Sequence, residues 1–200
     1  MKVASFEIVF QEVPGEVTLA LNISGCPNRC KGCHSPHLWE DTGEDLTTEL
    51  LDALVDRYFP GITCVCFMGG DQDADYVVSL SQHVHDNYPL KTAWYTGQNL
   101  QLSESSNLQN FHTDSDDCSG FCRDKKSSNL QIFKSSNLST FDFVKTGPYV
   151  ESLGGLKSPT TNQRFYRRDD QNWIDETSQF HSKTPHTTPS ATIHARAKRM

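Results

Sequence analysis

Two hundred residues suit one domain with a substantial core. A formal net charge of −7 argues against a nucleic-acid partner, because neutralising phosphates needs a basic face. Hydrophobic content of 36% and a mean hydropathy of −0.57 predict that part of the chain stays unpacked, and no stretch approaches the roughly 20 apolar residues that span a membrane.

In chain order, residues 1–10 read as a strand rather than as a charged and then apolar signal peptide. The seven cysteines are an odd number, so a disulfide scaffold is not expected, and a reducing cytoplasm with metal-bound and free thiols is. Residues 17–23 (VTLALNI) form a β-rich apolar run leading into a cysteine loop. Leu46, Leu50, Leu51, Leu54, Val55 and Tyr58 recur at helical spacing, with Asp45 or Thr47 as cap and Pro60-Gly61 as stop. Residues 62–67 (ITCVCF) suit a strand buried on both faces. Ala74, Val77, Val78, Ser81, Val84 and Tyr88 mark a second amphipathic helix, and residues 90–96 (LKTAWYT) the next strand.

Alternating strands and helices predict repeated βαβ units and a parallel sheet, whose chemistry sits at the carboxyl ends of the strands. The cysteine loop follows one strand and Met68-Gly69-Gly70-Asp71 follows another, so both loops are expected at one end of the sheet.

Beyond residue 100 the chain repeats itself. The segments starting Ser105-Ser106-Asn107-Leu108, Ser127-Ser128-Asn129-Leu130 and Ser135-Ser136-Asn137-Leu138 begin 22 and 8 residues apart, without the fixed period of a solenoid. Residues 101–140 therefore read as a polar, disordered insertion, with a functional lid as the other reading. Residues 141–146 (FDFVKT) resume as a strand closed by Gly147-Pro148. The expected organisation is a single domain over 1–180, interrupted by that insertion, and a disordered tail over 181–200. Arg196, Lys198 and Arg199 give the tail a short basic end.

Cys26-Pro27-Asn28-Arg29-Cys30-Lys31-Gly32-Cys33 offers three thiolates spaced C-x3-C-x2-C and no fourth. Closed zinc and four-cysteine iron–sulfur sites use four ligands, so three leave one metal position open to a group that is not protein. A partial zinc site completed by His34, His37 or a distant cysteine is the alternative. Cys118 and Cys122 lie inside the repetitive stretch and read as incidental. Cys64 and Cys66 share one face of a strand and read as buried, inert thiols. Gly69 and Gly70 let backbone come close to a ligand, and Asp71 can neutralise an ammonium group.

These motifs together resemble the radical S-adenosylmethionine superfamily, with Gly69-Gly70-Asp71 similar to its GGE-type loop. Residues 25–39 (GCPNRCKGCHSPHLW), with Gly32 before the third cysteine, resemble the activating proteins of anaerobic ribonucleoside-triphosphate reductases. So do residues 141–149 and 154–166. The resemblance covers roughly residues 1–100 and 141–180.

The resemblance implies an α/β fold, an incomplete parallel (β/α) barrel open on one side. It implies a [4Fe–4S] cluster on Cys26, Cys30 and Cys33, with S-adenosylmethionine on the fourth iron and Gly69, Gly70 and Asp71 binding its methionyl part. It further implies an oxidoreductase in which a reduced cluster cleaves S-adenosylmethionine. The adenosyl radical so formed takes hydrogen from a glycine Cα of the reductase, with a flavodoxin-like protein as electron donor. Lys145, at a strand end beside both loops, is a candidate cofactor-binding residue or a solvated lysine. Asn162, Gln163 and Arg164 could contact the adenosyl group or the partner, or cap a loop. The alternatives are an activator of another glycyl-radical enzyme, another small radical enzyme of this kind, a non-catalytic zinc or cluster-binding module, and a copy inactivated by its insertion.

Overall fold

The computed structural model describes residues 1–100, 102 and 135–181. Most of the expected insertion, including Cys118 and Cys122, and all but the first residue of the expected tail lie outside these residues.

Eight strands join in one mixed sheet: β1 (Lys2–Val9), β2 (Thr18–Ile23), β3 (Glu44–Asp45), β4 (Cys64–Met68), β5 (Lys91–Tyr95), β6 (Phe143–Thr146), β7 (Arg164–Asp169) and β8 (Asn172–Asp175). Their order across the sheet is β3-β1-β2-β4-β5-β6-β7-β8. The four central strands β2, β4, β5 and β6 run parallel, as the alternating pattern predicts, and antiparallel strands flank them on both sides. The antiparallel flanks, which the alternating pattern does not predict, have a simple reason. Short links such as Asp170-Gln171 between β7 and β8 return the chain directly, whereas parallel neighbours need a long crossover.

Two helices cover one face. The first, α1 (Thr48–Tyr58), starts where Thr47 accepts a hydrogen bond from the Leu50 N–H on its side chain, so Thr47 rather than Asp45 is the cap. The second, α2 (Ala74–Asn87), is capped by Asp73 accepting from the Tyr76 N–H. Leu51, Leu54 and Val55 of α1, and Val77, Leu80 and Val84 of α2, pack on Leu19, Leu21, Val65, Phe67, Trp94 and Val144 of the sheet. Leu102, Leu138 and Phe141 join this core where the described chain resumes.

The opposite face carries a smaller core of Val13, Cys64, Cys66, Ala93, Phe143 and Phe165. Alternation along β4 thus sends Val65 and Phe67 to the helices and both thiols to the other side. Among the described residues no helix is long and apolar enough to cross a membrane.

Candidate functional site

The face bearing Cys64 and Cys66 changes character along the strands. Ala20, Cys66, Ala93 and Phe143 stand in register across the four parallel strands and are all buried. One alternation further toward the carboxyl ends, Asn22, Met68, Tyr95 and Lys145 form the next row, and all four are partly exposed. The floor of the sheet is closed and its carboxyl edge is accessible. The cysteine loop and Gly69-Gly70-Asp71 leave β2 and β4 at that same edge.

The cysteine loop is fastened at its base, where the Cys26 N–H donates to the Leu38 carbonyl at 2.9 Å. Within it the Cys33 N–H donates to the Cys30 carbonyl at 3.1 Å, and Arg29 takes the left-handed backbone at φ 42°. Cys26, Cys30 and Cys33 are free thiols, all partly exposed. The Ser35 N–H donates to the Cys33 sulfur at 3.4 Å. On one flank Tyr149 packs against His34 with ring centroids 4.9 Å apart, and Glu151 pairs with Lys31 at 3.4 Å.

Gly69 and Gly70 take φ values of +108° and +88°, a region that side chains disfavour, and a Cβ on Gly70 would also lie 2.5 Å from Val77 Cγ2. The Gly69 N–H donates to the Tyr95 carbonyl at 2.9 Å, which moors this loop to β5. Gln72 reaches from the loop to the Ser24 carbonyl at 2.7 Å.

Asp71 faces three donors. Its Oδ1 accepts from the Thr96 hydroxyl at 2.5 Å. Its Oδ2 accepts from the Gly97 N–H at 2.9 Å and from Asn28 Nδ2 at 2.5 Å. The carboxylate therefore joins the cysteine loop, the glycine loop and the end of β5.

Lys145 donates from Nζ to the Gly147 carbonyl at 2.8 Å. Burial pushes its ammonium pKa down to about 8, while Asp71, Cys30, Cys26 and Cys33 each act in the opposite direction. The strand-end lysine thus feels all three thiols and the carboxylate. By contrast, Asn162 and Gln163 serve loop structure: Asn162 Nδ2 donates to the Pro148 carbonyl and Gln163 Nε2 to that of Gly147. Arg164 donates to the carbonyls of Thr161 and Gln163. Cys64 and Cys66 are fully buried, and desolvation raises both thiol pKa values, so neither is poised as a thiolate.

The edge thus brings together Cys26, Cys30, Cys33, Gly69, Gly70, Asp71 and Lys145. Sequence reasoning passed over Asn28, Thr96 and Gly97, whose one visible signal is their place inside or beside the motifs. Among the described residues no three His, Cys, Asp or Glu side chains gather closely enough to hold one metal ion. A single tetrahedral ion draws every thiolate to about 2.3 Å of one point. A cluster instead takes thiolates on separate irons. The donor set fits a cluster: three free thiols on one exposed loop, an N–H aimed at sulfur, and an ammonium within electrostatic reach.

Compared with known protein families, residues 13–141 match the family described as a 4Fe-4S single cluster domain. The match spans both motif loops and stops before Lys145. Neither the curated proteins nor the solved structures yielded a match.

Proposed function

Because the chain belongs to the 4Fe-4S single cluster domain family, we propose that it is an activating enzyme which cleaves S-adenosylmethionine reductively and places a glycyl radical on an anaerobic ribonucleoside-triphosphate reductase. The observation that carries this reading is the meeting of the three-cysteine loop and the Gly69-Gly70-Asp71 loop at one carboxyl edge, joined by Asn28 and Asp71. A cluster held by Cys26, Cys30 and Cys33 would supply the one electron for reductive cleavage of S-adenosylmethionine, with methionine as the leaving group and hydrogen abstraction from the target glycine as the chemistry that follows.

The chain's own residues bind and orient. Cys26, Cys30 and Cys33 would hold the cluster through three thiolates and would leave it one position for a ligand that is not protein. Gly69 and Gly70 take backbone angles that side chains disfavour, and a Cβ at Gly70 would strike Val77, so glycine there lets the backbone form the loop that would approach the methionyl part. Lys145 supplies a positive charge to a carboxylate or to the electron-rich cluster. The buried row of Ala20, Cys66, Ala93 and Phe143 closes the floor beneath the site, which keeps water from that side.

An incomplete barrel, a flavodoxin-like electron donor and a cytoplasmic location belong to the same proposal. Free thiols at all five described cysteines accord with a reducing compartment. The test is anaerobic reconstitution with iron and sulfide. About four irons per chain are expected, with cleavage of S-adenosylmethionine on reduction and a glycyl-radical resonance on added reductase. Cys30→Ala should abolish cleavage; full activity in that variant overturns the proposal, and zinc at one ion per chain without iron replaces it with a zinc module.

A further inference from the structure

We propose that Asn28 and Asp71 form a latch that fixes the cysteine loop against the glycine loop, so that Asp71 acts as a positioning residue rather than as the direct partner of the cofactor's ammonium group. This rests on reading the carboxyl edge as a cluster and cofactor site. Resemblance assigns Asp71 to the methionyl group, but the geometry gives its carboxylate other work.

Three donors already converge on Asp71: the Thr96 hydroxyl, the Gly97 N–H and the Asn28 amide, at 2.5, 2.9 and 2.5 Å. A carboxylate has about four acceptor directions, so little capacity remains for an incoming ammonium. Two of these donors belong to the end of β5 and hold the carboxylate in place. The third belongs to the residue midway between Cys26 and Cys30, on a loop whose other holds include backbone bonds at its base and the flanking Lys31–Glu151 and His34–Tyr149 contacts.

A second observation agrees. A Cβ built on Gly97 would overlap Asn28 Nδ2, lie 2.9 Å from Asn28 Cγ and 3.2 Å from Asp71 Oδ2. Gly97 does not take a left-handed backbone, so conformation does not require glycine there. The space it leaves open is the space the Asn28 amide occupies. The latch therefore has an anchored acceptor, a donor on the cysteine loop and a recess that receives the donor.

The function that follows is distance control. Cys26 and Cys30 set where the cluster sits, and Gly69-Gly70 sets where the methionyl end of the cofactor sits. A bond between the two loops fixes one relative to the other, at the iron position left open by the protein.

Amide hydrogen exchange on the full, metal-free chain tests this without needing the cluster. Asn28→Ala and Asp71→Ala should each raise exchange across residues 25–38 by roughly three- to tenfold, the size expected for a charge-assisted hydrogen bond shared with solvent. The double variant should exchange no faster than Asp71→Ala alone, because one contact is lost in each case. Exchange in α1 should stay at the wild-type rate, which separates a local opening from misfolding. Unchanged exchange in Asn28→Ala, or effects that add, overturns the latch.

In the reconstituted protein, the change that S-adenosylmethionine makes in the reduced cluster's electron paramagnetic resonance spectrum gives a second readout. Both single variants should need similarly more cofactor for half-saturation. A large loss in Asp71→Ala with none in Asn28→Ala would restore Asp71 as the direct ligand. Failure of the wild-type chain to take up iron would instead strike the proposed function, and the exchange result would still decide the latch.

Discussion

The indole of Trp94 donates its Nε1–H to the Gly69 carbonyl at 2.8 Å, while the Gly69 N–H donates to the carbonyl of the next residue, Tyr95. The end of β5 thus holds both polar groups of the first loop glycine. Trp94 is itself fully buried and stacks on Phe141 with ring centroids 5.6 Å apart. A core side chain therefore reaches through to shape the site.

Trp94→Phe keeps an aromatic ring in that packing and deletes the bond to Gly69. The loss should cost about 1–3 kcal/mol, from one buried hydrogen bond and a partial cavity. Urea unfolding measures the stability change. If the loop depends on Trp94, cofactor affinity should also fall while iron content stays at the wild-type level.

Cys66→Ala separates the packing thiols from the ligand thiols. Cys66 is fully buried beneath the accessible edge, beside Ala93 in register. Removing its sulfur should destabilise the chain by about 1–2 kcal/mol through a small cavity. Iron uptake should be unchanged, in contrast to Cys33→Ala. Iron loss in Cys66→Ala at a temperature where the variant remains folded would make this thiol part of the metal site.

Much of this arrangement was legible along the chain, because the signals were local. Apolar spacing marked α1 and α2, and continuous apolar runs marked β2, β4 and β5 within a residue or two of their observed ends. The cysteine spacing and the glycine pair stood out for the same reason. The hairpin of β7 and β8 was less visible, since Arg164, Arg167, Arg168 and Asp169 break up its apolar alternation. The bond from Asn28 to Asp71 joins residues 43 apart, and an asparagine in a tight loop reads as a turn former until the fold supplies its partner.

Lys145 predicts a dependence of stability on pH. Its ammonium pKa falls from 10.5 to about 8 in the folded chain, chiefly through burial. Between those values the unfolded chain binds more protons, so the metal-free protein gains stability as pH rises from about 8 to about 10.5. Below pH 8 the buried charge exerts its full destabilising effect. Lys145→Met should then raise stability at pH 7 by about 1–3 kcal/mol, allowing for partial exposure. The gain should shrink above pH 10, as urea midpoints at the two pH values would reveal. A gain independent of pH would mean that packing, not charge, is responsible. On the proposed function the same variant should bind S-adenosylmethionine more weakly, so stability and activity would move in opposite directions.

Gly97→Ala tests the recess that receives Asn28. The added methyl meets the Asn28 amide and lies 3.2 Å from Asp71 Oδ2, while the backbone there needs no left-handed conformation. Its effect should therefore be steric and local. The Asn28 side chain is exposed and can swing into solvent, so global stability should fall by less than about 1 kcal/mol. The bond between the two loops should be lost all the same. Gly97→Ala should then reproduce the faster amide exchange of Asn28→Ala over residues 25–38, and combining the two substitutions should add little. Wild-type exchange in Gly97→Ala would mean that the loop finds the carboxylate by another route. Large destabilisation, seen as a lowered urea midpoint, would mean that Gly97 serves the core rather than the latch.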